Sequence, residues 1–252
     1  MNADRDRFAH HPELRNKVLD PQQSYFRGFN PKDFDERMKA LGIKKPWRLT
    51  DEEREATRLE ILKNRRDEDL WVFAYGSLMW DPGFEFEDLL KADVPGYARV
   101  FCLKDDFGAR GTREAPGLMA ALDEGNGCSG IAFKIAKTKI EEETEILWRR
   151  EMVTGVYVPN VVAASTALGE IECITFLANH AASRIRTDLT REEKVRYLAT
   201  GSGFRGTSLE YIENLADHLL ALGIEDVYVS ALLEEARAHS NQVKTENKHQ
   251  ES

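Results

Sequence analysis

The chain has 252 residues, 42% hydrophobic and 31% charged, with a net charge of −9 at pH 7. That is enough apolar material for a packed core, which excludes wholesale disorder, and the acidic balance opposes a general nucleic-acid binder. No apolar run approaches the ~18 residues that span a bilayer, and Met1 to Asp20 holds no apolar signal core, so the sequence predicts a soluble cytoplasmic protein with no membrane partner.

Residues 1–68 are rich in charge and sparse in apolar positions, and they read as a partly helical N-terminal extension lying along the surface of the domain that follows. Asp4 to Arg37 reads as partly irregular. Thr50-Asp51-Glu52-Glu53 matches a capping box. It predicts a helix to about Asn64 with Ala56, Leu59, Ile61 and Leu62 as an apolar stripe.

From Asp69 the pattern changes to short strands. They are predicted over Trp71–Tyr75, Ala98–Leu103, Leu118–Leu122, Gly130–Ile135, Val156–Ala163 and Ile171–Leu177. Turn signals separate them, among them Pro82-Gly83, Pro95-Gly96 and Pro116-Gly117. Helices are predicted over Thr138–Arg150, from the second capping box at Thr190 to near Gly201, over Ser208–Leu222 with Gly223 as the stop, and over Val227–Ala238. Strands followed by clustered helices suggest an α+β domain with an antiparallel or mixed sheet, over 69–238, and not a doubly wound one. Residues 239–252 read as a polar, frayed tail.

The segment Trp71 to Trp80 breaks an apolar run at Gly76-Ser77. It reads either as an ordinary strand end with a glycine turn or as a nest of main-chain N–H groups at Tyr75 to Leu78 that holds a carboxylate. Glu151, beside Arg149 and Arg150 at a helix end, reads either as a solvated ion pair or as a buried general base of raised pKa. The loop Asp105 to Gly117 reads as a solvent loop or as the source of an arginine clamp for a carboxylate. Thr200 to Gly206 spaces its glycines as G-x-G-x-x-G, but it follows a helix and reads as a loop between two helices, not a dinucleotide site. The three cysteines have neither disulfide nor zinc spacing, and Cys102 and Cys173 read as small buried hydrophobes. None of the six histidines makes a metal motif, and His180 reads as a satisfied, partly buried residue. The expectation is no metal and no cofactor.

Taken together, Val72-Phe73-Ala74-Tyr75-Gly76-Ser77-Leu78-Met79-Trp80-Asp81-Pro82-Gly83-Phe84, the loop Arg110-Gly111-Thr112 to Pro116-Gly117, Arg149-Arg150-Glu151-Met152 with Gly155 and Tyr157, and Gly203 to Tyr211 with Leu222-Gly223-Ile224 closely resemble the motifs of the ChaC-type γ-glutamylcyclotransferases, in that order. The resemblance covers about residues 70–230. It implies a small, mixed, barrel-like sheet with flanking helices, and cleavage of glutathione to 5-oxoproline and Cys-Gly by intramolecular aminolysis. It further implies Glu151 as the catalytic acid and base, with Tyr75, Gly76, Ser77, Leu78, Arg110 and Tyr157 binding a small-molecule substrate. A monomer or weak homodimer is expected. Two alternatives stay open: the same chemistry on other γ-glutamyl peptides or amines, and a non-catalytic binding or regulatory protein linked to cation transport.

Overall fold

A computed structural model of the protein describes residues 6–44 and 46–250. The first five residues of the expected extension and the last two of the expected tail lie outside the described residues. The chain divides into two compact units, one of residues 1–99 and 122–182 and one of residues 100–121 and 183–252.

The first unit is built on a closed five-strand barrel. Its strands are β1 (Leu70–Ala74), β2 (Asp88–Val94), β5 (Cys128–Ile135), β6 (Tyr157–Thr166) and β7 (Gly169–Ala178), in the order β1-β5-β2-β6-β7. All neighbours are antiparallel until β7 returns to β1 in parallel, Trp71 opposite Cys173 and Val72 opposite Ile174. That last pairing removes the open edges that would otherwise pair with other chains. Inward-facing Phe73, Tyr75, Ala92, Leu122, Ala132, Val162 and Cys173 form one buried cluster. Two further strands, β3 (Tyr97–Asp105) and β4 (Gly117–Glu124), extend the sheet, and Leu122 of β4 lies opposite Leu177 of β7. The expected mixed, barrel-like sheet is present.

Four short 3-10 turns, α1 (Asp35–Ala40) and α2 (Asp51–Leu62) make up the N-terminal segment. The capping box at Thr50 forms as expected, with Glu53 N–H to Thr50 Oγ1 at 3.1 Å and Thr50 N–H to Glu53 Oε2 at 2.7 Å. Of the predicted apolar stripe of α2, only Leu62 is buried. Leu59 is exposed, and the buried positions are Arg54, Arg58 and Leu62, spaced four apart. Arg58 reaches α3 (Ile140–Glu151), donating to Thr144 Oγ1 at 2.9 Å and to Glu141. Charge pairing therefore docks this helix where periodicity predicted aliphatic contact.

Arg27 makes a second such link. Its guanidinium grips both oxygens of Glu143 at 2.8 and 3.2 Å, and Glu85 N–H completes the carboxylate at 2.7 Å. Glu143 is fully buried. Removing one partner of a buried pair leaves an uncompensated charge, so Arg27→Met is expected to lower unfolding stability by about 3 kcal/mol in urea titration. An unchanged midpoint would show that the pair contributes nothing.

The second unit packs α4 (Arg191–Thr200), α5 (Ser208–Ala221) and α6 (Val227–Gln250) beside the outer parts of β3 and β4. The helix α6 runs to Gln250, past the expected end at Ala238 and through the segment expected to fray. Nothing between 239 and 250 breaks it, for the stretch holds neither Gly nor Pro. The G-x-G-x-x-G stretch is, as expected, the connection between two helices, α4 and α5, and it is shaped as a small hairpin, β8 (Ser202–Gly203) with β9 (Gly206–Thr207). The loop from Arg110 to Gly117 closes on itself and on Gly201. A side chain at Gly111 would lie 2.0 Å from Gly117 N, and one at Gly201 would lie 2.4 Å from Gly117 Cα, so only glycine fits.

Candidate active site

The strand β1 ends at Ala74, and the chain passes through Tyr75 and Gly76 into a single 3-10 turn, Ser77–Met79. Tyr75 is anchored at both ends. Its hydroxyl donates to Phe176 O at 2.7 Å, and its carbonyl accepts from Arg99 Nε at 2.6 Å. The turn is closed by Met79 N–H to Gly76 O at 2.9 Å and Asp81 N–H to Ser77 O at 3.0 Å. The N–H groups of Ser77 and Leu78 precede the first of these bonds, so the turn itself offers them no acceptor. Gly76 has φ −138° and needs no left-handed backbone.

Glu151 is the last residue of α3, and only 12% of its side chain is exposed. The solvated ion pair that its sequence also allowed is excluded. Its Oε1 accepts from Arg150 Nε at 2.9 Å. The same guanidinium donates through Nη2 to Ser77 Oγ at 2.8 Å and through Nη1 to Asp81 O, with Asp81 Oδ1 at 3.9 Å. One planar cation, itself almost fully buried, thus ties the glycine turn to the carboxylate at the helix end. Three donors in a fixed fork make this possible, and lysine has no equivalent.

Burial pushes the Glu151 carboxyl above the usual carboxylate range. Arg150 pulls against that shift through charge and hydrogen bond, and Asp81 adds to it. The result is a carboxylate more basic than an exposed one, with a cation beside it to keep its ionised form accessible.

The structure brings Tyr75 to Leu78 and Glu151 together through Arg150. Tyr157 opens β6 opposite Ala178, with its ring 6.5 Å from that of Phe176. Arg110 belongs to the second unit. There its N–H donates to Asp105 Oδ2 at 2.5 Å, and Nη1 donates to Thr207 O at 3.3 Å with Glu210 at 3.9 Å. Cys102 and Cys173 are buried as expected, and burial pushes the Cys173 thiol up to about 12, which leaves it unreactive. His180 departs from expectation. It is exposed, with Nε2 2.9 Å from Asp123. A cavity of about 550 Å³ lies between Arg27, Asp51, Arg58 and Arg149, but its wall includes neither Glu151 nor any residue of the turn. Sequence reasoning missed Arg150 and Asp81 as residues that organise this site, although both stand inside the quoted motifs; for Arg150, adjacency to Glu151 was the available signal.

A sequence model of the ChaC-like protein family matches residues 70–239, which takes in the turn and Glu151. The chain belongs to the ChaC-like family. Among its ChaC-like relatives, the glutathione-specific γ-glutamylcyclotransferase of Escherichia coli K12 is 35% identical over 184 residues, covering 72% of this chain and 79% of its own. The γ-glutamylcyclotransferase 2-1 of Arabidopsis thaliana is 32% identical over 178 residues, covering 67% and 82%. The crystal structure of a glutathione-specific γ-glutamylcyclotransferase from yeast matches with a TM-score of 0.63 at 20% identity, over 68% of this chain and 96% of that one. This match carries the fold: a barrel with flanking helices. Among the described residues, no helix is long and apolar enough to cross a membrane.

Proposed function

We propose that this protein is a γ-glutamylcyclotransferase that cleaves glutathione to 5-oxoproline and Cys-Gly, with Glu151 as general base and then general acid. One observation carries the reading: a nearly buried carboxylate held by a guanidinium that also grips a glycine turn with N–H groups to offer. Relatives named as glutathione-specific γ-glutamylcyclotransferases support the substrate.

The reaction needs no nucleophile from the protein. The α-amine of the γ-glutamyl group is mostly an ammonium at pH 7, since such groups titrate near 8. Glu151 removes a proton from it. The freed nitrogen attacks the γ-carbonyl carbon of the same residue and closes a five-membered ring. The carbonyl oxygen becomes an oxyanion, and the main-chain N–H groups of Gly76, Ser77 and Leu78 stabilise that charge or the substrate carboxylate. Protonated Glu151 then gives its proton to the Cys-Gly nitrogen and the old amide bond breaks, while the ring nitrogen's second proton returns to the freed Glu151 carboxylate and passes on to the released amine, leaving a neutral lactam and an ionised base. One C–N bond forms, one breaks, and no water is consumed. Much of the rate gain comes from folding the glutamyl chain into the ring-closing shape. The raised carboxyl pKa narrows the gap to the ammonium, which eases the first proton transfer.

Arg110 and Tyr157 enter as substrate-binding residues on their motifs alone. Arg110→Ala or Tyr157→Phe is expected to raise KM with little change in kcat. We place the protein in the cytoplasm, which its three free cysteines support.

The test is 5-oxoproline release from glutathione, from γ-glutamyl-alanine and from N-acetylated glutathione. Product from glutathione alone is expected. Product from the dipeptide alone would keep the chemistry and change the substrate. Product from the N-acetylated form would contradict the mechanism, because its amine cannot attack. The acid limb of kcat/KM should lie above the ordinary glutamate value of 4.5, the direction in which Glu151 is shifted. A limb at or below that value would remove Glu151 as the base.

A further inference from the structure

The N-terminal segment lies outside residues 70–239, yet part of it touches the site from behind. Leu19 N–H donates to Trp80 O at 2.8 Å, on the residue after the glycine turn. Ser24 is buried, and its hydroxyl donates to Asp81 Oδ1 at 2.6 Å. The Phe26 ring lies over the Arg150 guanidinium, with Cζ 3.9 Å from the ring centroid. This close approach depends on Gly83, which has φ +73°: a side chain there would lie 3.2 Å from Phe26 Cβ and 3.3 Å from Ser24 Oγ. The ring is set in turn by edge contacts with Tyr25 and Phe29.

Each contact falls on a group that holds the site. Arg150 has its in-plane donors committed to Glu151, Ser77 and Asp81, and an aromatic ring covers a face of the same cation. Asp81, facing Arg150, takes the Ser24 hydroxyl on the same oxygen that Arg150 approaches. We propose that Ser24 and Phe26 are positioning residues: a strap from the N-terminal segment that excludes water from Arg150, fixes its fork, and through it holds the Glu151 carboxylate in reacting position. The proposal rests on the reading of Glu151 as the base. It gives the segment before residue 69 a role in turnover and not only in packing.

Among the described residues, the charged groups that act on Glu151 are Arg150 from its own helix and Asp81 from the segment after the turn. Removing the ring uncovers that face of the Arg150 guanidinium and admits water to the cation that holds Glu151. Burial is the main cause of the raised carboxyl pKa, so its loss moves the acid limb of kcat/KM to lower pH.

The experiment uses the full chain with glutathione as substrate. It compares Phe26→Leu, which keeps apolar volume but loses the ring face, with Phe26→Tyr, which keeps the ring. Phe26→Leu is expected to lower kcat at least about tenfold, since small misplacements of catalytic groups are costly. KM should stay within about threefold, and the acid limb should move down. Phe26→Tyr should restore kcat and the limb. Ser24→Ala, a milder change suited to the case where Phe26→Leu melts below the assay temperature, should lower kcat in the same direction. A kcat loss that merely follows the folded fraction, with the limb in place, would make the contact structural and overturn the proposal. So would unchanged kcat and pH profile in Phe26→Leu while Glu151→Gln is inactive, an outcome that leaves the base assignment standing. Full activity in Glu151→Gln would remove the reading beneath the proposal.

Discussion

Glu151→Gln lowers 5-oxoproline formation by at least about 10³-fold, within the range expected for a lost general base, and the protein melts no lower than its parent at pH 7.5. The second half of this expectation is the sharper one. Folding raises the Glu151 pKa above its ordinary value. A group shifted in that direction contributes stability that is fully present below about pH 4.5 and is lost as pH rises through the raised value. At neutral pH the ionised carboxylate therefore opposes folding, a cost that an amide does not carry. The Gln oxygen still accepts from Arg150 Nε, which in the parent meets Glu151 at 2.9 Å. The melting-temperature difference between variant and parent should thus favour the variant at pH 7.5 and move toward the parent as pH falls to 4. Thermal melts across that range, run beside the activity assay, check both parts. An active variant would remove Glu151 as the base. A variant less stable at pH 7.5 than at pH 4, relative to the parent, would contradict the direction of the shift.

Arg150→Met should be the most damaging single change at the site, affecting stability and activity together. It removes the donors to Glu151, Ser77 and the Asp81 carbonyl at once. It also leaves Asp81 and Glu151 as buried carboxylates without their shared cation, a situation that typically costs about 3–5 kcal/mol. With attraction gone and the Asp81 charge remaining, the Glu151 pKa rises further. The acid limb of kcat/KM then moves to higher pH, opposite to the shift expected for Phe26→Leu. Arg150→Lys does not rescue, because a point charge cannot serve three acceptors in one plane. Adding Glu151→Gln to Arg150→Met should return part of the lost stability, since one of the stranded charges is then neutral. Urea unfolding of the single and double variants measures this coupling. Additive losses, or a fully active Arg150→Lys, would show that the fork does not organise the site.

The features legible in the sequence were those set by neighbours along the chain. The capping boxes at Thr50 and Thr190 formed because a threonine and a glutamate three residues on need only each other's backbone. Six of the seven long strands carried enough consecutive apolar residues to be seen. The strand β2 did not. Its sequence Asp-Leu-Leu-Lys-Ala-Asp-Val sets charges among the apolar positions, and its Asp88 is buried with His10 3.8 Å away. Local patterning reads such a stretch as surface. The arginine face of α2 was hidden for the same reason, because Arg54 and Arg58 look solvated until Glu141 and Thr144 are brought to them.

The site divides the same way. The glycine turn and Glu151 were visible as motifs, but the group that joins them was not. Arg150 looked like one of two ordinary arginines at a helix end. Only the fold brings Ser77, 73 positions earlier, to its side chain. The strap is further still from sequence view, for Ser24 meets Asp81 across 57 positions and belongs to a segment that reads as charged and irregular.

The most direct test of the central claim is the fate of glutathione incubated with the purified protein in oxygen-18 water, with products resolved by mass spectrometry. Ring closure by the substrate's own amine predicts 5-oxoproline and Cys-Gly in equal amounts, with no heavy oxygen in either. Glutamate carrying the label would mean that water is the nucleophile, and the cyclotransferase account would be wrong.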